Sequence, residues 1–595
     1  MSNQNLARNE FAHMHSEDGE VTDTRLLVGN DVLLRLWKGG IDPTEWNKWV
    51  KDNPDGAVDF GDFPFPQYFN DPEKHLINFK GYDFPGGGVS FRQADFGPCP
   101  VDFSGVNFGG GPVDFSGATF KGPVNFSEAD FGQGEILFDG TVFVGNASFH
   151  NSFSIGPEFV FRNSSFKAKA DFSRIRTECG LFELTRVNFD QEVDFSDAVI
   201  KPSFALFRGL EFEKAVQFTG ATLGSSKAGD GNDEDAPVSF VDSKFHGGTC
   251  FANAHFVSDV VFSNLLWNGQ LCDFSQVIAD GKFEISGTDS RIKVEAFDFA
   301  GAAFNGNFIL HQLTFLVDSI DFNGCKFRGP LVQCSHSTIV GNCEMNFNQS
   351  DFDVDVICFD YLNKGIGVFD FTPDSIAVTR PITFHGASID SVLKLPTCRC
   401  PQSIDLTSAV LALPLDLSNT DIHFEQAISS LPWVKSVDPE DAKRFRHLKQ
   451  LAYENRDVER ALDFYAKEMR ASYHHGINGL KLLSLYLYDW TSDYGRSFLR
   501  PLACLLLTTV FFAGFYYTEV AAEGSTSWQI MQFSLSNVLP VIPGIREIQD
   551  EVAGTLFPFG MANAPGLSLA LSLQCVISAG FLFLMGLALR NRFRS

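Results

Sequence analysis

The 13 histidines and 12 cysteines are the first residues to test for chemistry. His336 and His385 stand apart in a Phe-rich setting, and His474-His475 falls in a helical stretch. A zinc protease would need H-E-x-x-H, a serine hydrolase G-x-S-x-G, and a nucleotide-binding loop G-x-x-x-x-G-K-[ST]; none of these strings occurs. Cys325, Cys334 and Cys343 recur at nine-residue steps, and Cys398 lies near Cys400, without a CxxC pair or a Cys/His cluster of finger type. Such cysteines fit small buried slots better than metal ligation. The glycine runs Gly86–Gly88 and Gly109–Gly111 could cradle phosphate only if an amphipathic helix followed, and none does. In Ser225–Pro237 the acids Asp230, Asp233, Glu234 and Asp235 lack the spacing of a calcium-binding EF-hand loop, so a solvated insert is expected there. No catalytic, metal or cofactor-binding residue is assigned, no cofactor is expected, and the chain is not expected to be an enzyme.

The elements that carry these residues repeat. Val101–Gly122 reads VDFSGVNFGGGPVDFSGATFKG and places Phe103, Phe108, Phe115 and Phe120 at spacings of 5, 7 and 5. Phe96, Phe126 and Phe131 continue the series on either side, and the unit is still visible at Ile404-Asp405-Leu406 and Leu415-Asp416-Leu417. Each unit has a large apolar centre, a small apolar residue two before it, and polar residues or Gly elsewhere. Period-two alternation inside a five-residue cycle means short extended pieces joined by corners. Gly, Asn and Asp supply those corners. A chain that turns this often and keeps Phe inward must wind into a coil, and no turn buries its face alone.

The pattern small-Asp/Asn-Phe/Leu-Ser/Thr-Gly resembles the pentapeptide-repeat proteins. The resemblance covers about Val58–Phe424 and implies a right-handed quadrilateral β-helix, with four five-residue faces to a coil. The alternation of 5 and 7 enlarges the ideal coil to about 24 residues, and roughly 14 coils at about 4.8 Å each would give a rod of about 65–70 Å. A β-sandwich would not hold a five-residue cycle over this length.

Residues 1–30 read as a disordered polar tail without the apolar core of a cleavable signal, and free thiols fit a reducing cytoplasm. Residues 31–57 read as a helical N-terminal cap. Asp31 opens one short helix ending at Gly39-Gly40, and Asp42-Pro43-Thr44-Glu45 opens a second that carries Trp46 and Trp49 on one face. GGIDPTEWNKW resembles the Trp-Asn-x-Trp segment that often precedes pentapeptide repeats. A lid over the open coil end is the favoured role of the pair, with an aromatic ligand site as the alternative.

After Trp433 the Phe cycle stops. Residues 435–495 form an amphipathic helical linker: one helix capped by Asp438–Asp441 with Phe445, Leu448 and Ala452 on a stripe, a second over Asp457–Met469, and a third near Leu480–Trp490 suited to a lipid boundary. Pro501–Thr518 and Pro565–Leu589 carry no charge, and transmembrane helices are expected at 498–520 and 565–589. Arg496 and Arg500 precede the first, and Arg590, Arg592 and Arg594 follow the second. The segment between them, 521–564, is acidic. The positive-inside bias places both termini, the basic tail 590–595 and the coil in the cytoplasm. Trp528–Ile545 is too apolar for an ordinary loop and suggests a re-entrant helix through Trp528 and Phe533 halting near Pro540, or an interfacial helix. The order span, re-entrant helix, span is that of two-helix potassium channels, but no TVGYG filter is present.

The whole arrangement resembles bacterial pentapeptide-repeat membrane proteins, through RFRHLKQLAYENRDVERALDFYAKE, SDYGRSFLRP, QFSLSNVLP and ALRNRF. The likeness informs architecture far more than activity; an inner-membrane protein is expected, with a lipid bilayer, a cytoplasmic protein and further copies of itself as partners. The formal charge is −27, and Met1–Val434 holds 58 acidic against 30 basic residues, which opposes nucleic-acid binding. Three functions are therefore weighed: a membrane-tethered scaffold or sensor, an oligomeric channel or permeabilising effector, and an acidic DNA mimic for topoisomerases.

Overall fold

A computed structural model describes residues 27–28, 43–63, 65, 76–225, 238–288, 290–417, 419–428, 434–475, 479–519, 525–538, 543–556 and 566–593. The fold is a parallel β-solenoid of about 14 turns with eight helices among the described residues. The helices are α1 (Thr44–Asp52), α2 (Asp441–Glu454), α3 (Val458–Ala471), α4 (Leu480–Ser492), α5 (Leu499–Glu519), α6 (Ser527–Ser536), α7 (Pro543–Leu556) and α8 (Leu567–Arg592). The chain divides into two compact units, Met1–Ala302 and Ala303–Ser595.

In the first unit each turn lays strands on four sides, stacked in parallel on their equivalents in the next turn. Val89 pairs with Val113 and Val113 with Ile136; Thr119 pairs with Val142; Val101 pairs with Val124. The fourth side begins as single bridges, Asp83 to Asn107 to Asp130 to Phe153, and becomes strands from Phe153 onward. Through most of this unit the coil is slightly tighter than expected, as the pairing of Val101 with Val124 and of Val124 with Ala147 shows. Where Ala205 pairs with Val238 the coil is instead lengthened by the acidic segment, whose residues 226–237 lie outside the described ones.

Phe96, Phe103, Phe108, Phe115, Phe120, Phe126 and Phe131 are all buried. Equivalent rings stack face to face between turns: Phe103 on Phe126 at 4.9 Å and 0°, Phe115 on Phe138 at 5.0 Å and 3°. Rings of adjoining sides meet edge-on, as Phe103 does Phe115 at 5.7 Å and 80°. A Phe column satisfies both preferred aromatic geometries at the strand spacing. Corners need a left-handed residue two after the Phe, supplied by Gly105 at φ 62° and by Glu128 at φ 60°. Other corners bring backbones together: a Cβ on Gly134 would sit 1.8 Å from the Gly111 carbonyl oxygen.

Residues 29–42 lie outside the described ones, so the helix expected from Asp31 and the capping role of Asp42 do too. In α1 the N-terminal position falls on Pro43, whose carbonyl accepts the Asn47 amide at 2.8 Å.

In the second unit the coil runs on with a spacing that varies from turn to turn: Phe308 pairs with Val332, Lys326 with Asp351 and Ile382 with Ile404. Its last parallel pair is Arg399–Cys400 with Asp421–Ile422, followed by an antiparallel pair, Gln426–Ile428 with Val434–Ser436. Helix α2 begins at Asp441 with Glu440 as its N-cap, inside the Asp438–Asp441 segment read as the cap; the Asp438 carboxylate accepts the Glu440 amide at 2.9 Å. Asp457 caps α3 by accepting the Arg460 amide at 3.0 Å.

α5 and α8 are both long and apolar enough to cross a membrane. α6 packs against α5, and the unexpected helix α7 packs against α6. The acids Glu547, Asp550 and Glu551, read from sequence as part of an external loop, belong to α7, which buries Ala553 and Leu556.

Candidate functional site

The solenoid surface is rich in carboxylates, and their geometry explains why. Asp102 accepts the Ser104 amide at 2.8 Å, Asp114 that of Ser116 at 2.7 Å, Asp194 that of Ser196 at 2.7 Å and Asp405 that of Thr407 at 3.0 Å. Each acid before a centre residue closes its own corner by bonding the backbone two residues on. These side chains therefore need no catalytic role to account for them.

Trp46 is buried and packs on Phe60, Tyr82 and Phe84 at 5.7–6.3 Å, while its indole N–H donates to the Asp83 carbonyl at 2.6 Å. Asn47 donates to the Gly81 carbonyl and accepts the Asp83 amide at 2.9 Å. The half-buried Trp49 stacks obliquely on Trp46 at 5.6 Å. The aromatic pair is engaged with the coil itself.

Two surface groups came from the register alone. On adjacent turns of the first unit, Glu211, Glu213 and His246 bring ligand atoms within 4.8 Å of one another, but Lys244 already holds Glu211 at 3.1 Å. In the second unit His311, His336, Tyr361 and His385 form a ladder of rings down one corner, with centroids 4.7–5.5 Å apart. His336 and Tyr361 adopt positive φ, 51° and 54°, a conformation bulky residues seldom take. Exposed Leu316, Val340 and Ile366 lie along the neighbouring corner. Nothing in the linear sequence separates these residues from other coil positions, because turns of unequal length bring them together.

Lys364 was also missed. It occupies the centre position between Ile339 and Ile389 and is fully buried. Its ammonium donates to the carbonyls of Cys343 at 2.8 Å, Ile366 at 3.1 Å and Gly365 at 3.3 Å, and burial lowers its pKa. The signal was present: Leu362-Asn363-Lys364 has the spacing of the unit with Lys at its centre.

The twelve cysteines are free thiols. Burial pushes Cys179 and Cys343 up to about 11 and Cys400 up to about 12. A groove of about 420 Å³ is lined by residues including Glu178, Cys179 and Lys201.

At the C-terminal end of the coil, Arg444 binds Asp438 at 2.6 Å, Asp441 at 3.0 Å and Asp405 at 3.2 Å, and Phe445 meets Phe424 at 5.6 Å. Buried Asp441 also accepts from Ser403 at 2.6 Å and Ser436 at 2.7 Å. Further on, Arg470 pairs with Asp489 at 2.7 Å and with Asp493.

The apolar hairpin holds a buried polar cluster. Tyr516 on α5 donates to the Gln574 side chain of α8 at 2.8 Å. Gln574 donates to the Ser534 carbonyl of α6 at 2.8 Å, and the Ser534 hydroxyl to the Thr509 carbonyl at 2.7 Å. Phe533 is buried beside it and Trp528 is exposed; Pro540 lies outside the described residues. Asn591 donates to the Gly495 carbonyl at 3.1 Å, so the start of α5 and the end of α8 lie together. Arg496 binds Asp463 at 2.9 Å, Arg500 donates to the Asp489 carbonyl at 3.2 Å, and Arg590 and Arg592 occupy the last turn of α8. Arg594 lies outside the described residues.

With this geometry in view, comparison with known families gives one match. Residues 103–152 match the family Pentapeptide repeats (9 copies). The corners within the match include those closed by Asp114 and Asp130. No curated protein and no solved structure matches the chain.

Proposed function

We propose that this chain is a non-enzymatic recognition scaffold anchored in a membrane, with the pentapeptide-repeat solenoid in the cytoplasm and both termini on that side of a bacterial inner membrane. The observation that carries it is the pair α5 and α8, each long enough to span and apolar enough to enter hydrocarbon, in one unit with a repetitive coil. The consumption of the surface Asp side chains in corners supports a non-catalytic role. A protein partner has a suitable face on the second unit, where Leu316, Val340 and Ile366 are exposed one corner along the chain from the ring ladder of His336 and Tyr361.

A photo-crosslinking amino acid at Tyr361 of the full chain, expressed in cells, tests the reading. The expected result is membrane recovery that resists alkaline carbonate and an adduct to a second protein that is absent with the probe at Asn146. Release into the aqueous fraction without detergent, or the same adducts at both positions, would refute it.

A second reading, an oligomeric channel, is favoured by α6, which α5 and α8 hold through Ser534 and Gln574. Planar-bilayer recording with purified protein should then show discrete conductance steps, and silence at all voltages would dismiss it. The acidic charge alone speaks for DNA mimicry, and anchoring in lipid would keep the rod from the chromosome.

A further inference from the structure

Helix α4 leaves Leu480, Leu483, Leu487 and Trp490 exposed, the last at 70 %. Their spacing of 3, 4 and 3 puts them on one stripe of an α-helix. The opposite face is occupied: Leu482, Leu485, Tyr486 and Tyr488 pack against Ala466, Tyr473 and Tyr494. Exposure of four large apolar groups in a row is costly in water, at about 25 cal/mol for each Å² left wet.

Three observations say what covers it. First, α4 is fastened to the ends of both apolar helices, through Arg500 to the Asp489 carbonyl and through Asn591 to the Gly495 carbonyl in the turn that follows α4. Second, the apolar surface continues onto those ends, where Leu499 and Phe593 are more exposed than Trp490. Third, α4 itself carries Lys481, and the ends of the apolar helices tied to it carry Arg500, Arg590 and Arg592, while the nearby acids Asp463, Asp489 and Asp493 are balanced as a group by Lys467, Arg470 and Arg496. A helix with an apolar face, a terminal Trp and a cationic border is built to lie in the headgroup layer.

We infer that α4 seats its Leu480–Trp490 stripe in the bilayer surface and that the basic border selects anionic lipid headgroups. This rests on the membrane reading above and names the partner of that region. In it α4 fixes the solenoid to the membrane plane, so lipid charge would change how firmly α4 is held.

The test uses the full chain in vesicles containing bromine-labelled acyl chains, of phosphatidylcholine alone or with about one-third phosphatidylglycerol. Fluorescence of the native chain minus that of Trp490→Phe isolates Trp490 from the other six tryptophans. We expect at least a twofold loss of the Trp490 signal in the anionic vesicles, with a smaller loss in phosphatidylcholine and in Leu483→Glu/Leu487→Glu. Equal quenching in both lipids would overturn the assignment of anionic headgroups. No quenching in vesicles that retain the protein after carbonate would overturn the seating while leaving the anchor intact, and Trp490-dependent cross-links between two copies would show the stripe covered by protein instead. Protein that fails to stay with the vesicles at all would overturn the membrane reading and this inference together.

Discussion

At the residue scale, the repeat divides its polar and apolar positions into two structural jobs. Phe115 stacks on Phe91 at 4.8 Å and on Phe138 at 5.0 Å, so truncation opens a void between two turns. Phe115→Ala should cost about 3–5 kcal/mol, read as a lower thermal midpoint of the full chain in detergent. Asp102 contributes a hydrogen-bond acceptor, and charge is incidental to that task. Asp102→Asn should therefore stay close to the native midpoint, while Asp102→Ala loses about 1 kcal/mol; a larger loss for Asn would contradict the corner role. The thiols allow a separate check. Cys179, Cys343 and Cys400 are held protonated by burial, so at pH 8 they should resist alkylation in the native protein and react on denaturation, as mass spectrometry of the labelled peptides would record.

At the element scale, the decisive joint is α2 on the last turns of the coil. The Arg444 side chain is only 11 % exposed and faces three carboxylates. Burial works to raise the pKa of Asp405 and Asp438, but hydrogen bonds outweigh it and hold both below the ordinary value. For Asp405 these come from Thr407 and Arg444, for Asp438 from the Glu440 amide and Arg444. A carboxyl with a lowered folded pKa adds stability above its unfolded value, near 4, and that stability is lost as pH falls through the folded value. Proteolysis between the coil and α2 should accordingly be slow at pH 5 and accelerate below about pH 4. Arg444→Met leaves the buried Asp441 and the half-buried Asp405 and Asp438 without their cation and should cost about 3 kcal/mol at pH 7, with cleavage at the same place already at neutral pH.

At the scale of the whole molecule, the proposed topology makes a sided prediction. Protease added to intact spheroplasts should cut only between α5 and α8, and added to inverted membrane vesicles should cut before α5 and spare that segment. Cleavage of the solenoid in intact spheroplasts would reverse the assignment drawn from Arg496, Arg500, Arg590 and Arg592. Stability at this scale is that of a stack: each turn contacts mainly its neighbours, so loss is expected to spread from ends. Within the first unit Trp46 packs on the early turns, and within the second Arg444 ties α2 to the late ones.

The amino-acid sequence by itself determined the coil, because a five-residue apolar cycle has few ways to hide its Phe side chains from water. It determined the two apolar helices for the same reason, length and lack of charge being local properties. The tertiary structure decided what register decides. Turn length is uneven along the coil, and one turn carries the whole acidic insert. No fixed period therefore tells that His336 would stand on Tyr361, that Glu211 would face His246, or that Lys364 would find three carbonyls inside the core. Nor does local pattern tell which face of α4 is left bare, since Leu populates both sides and only the packing of Tyr473 and Tyr494 chooses between them.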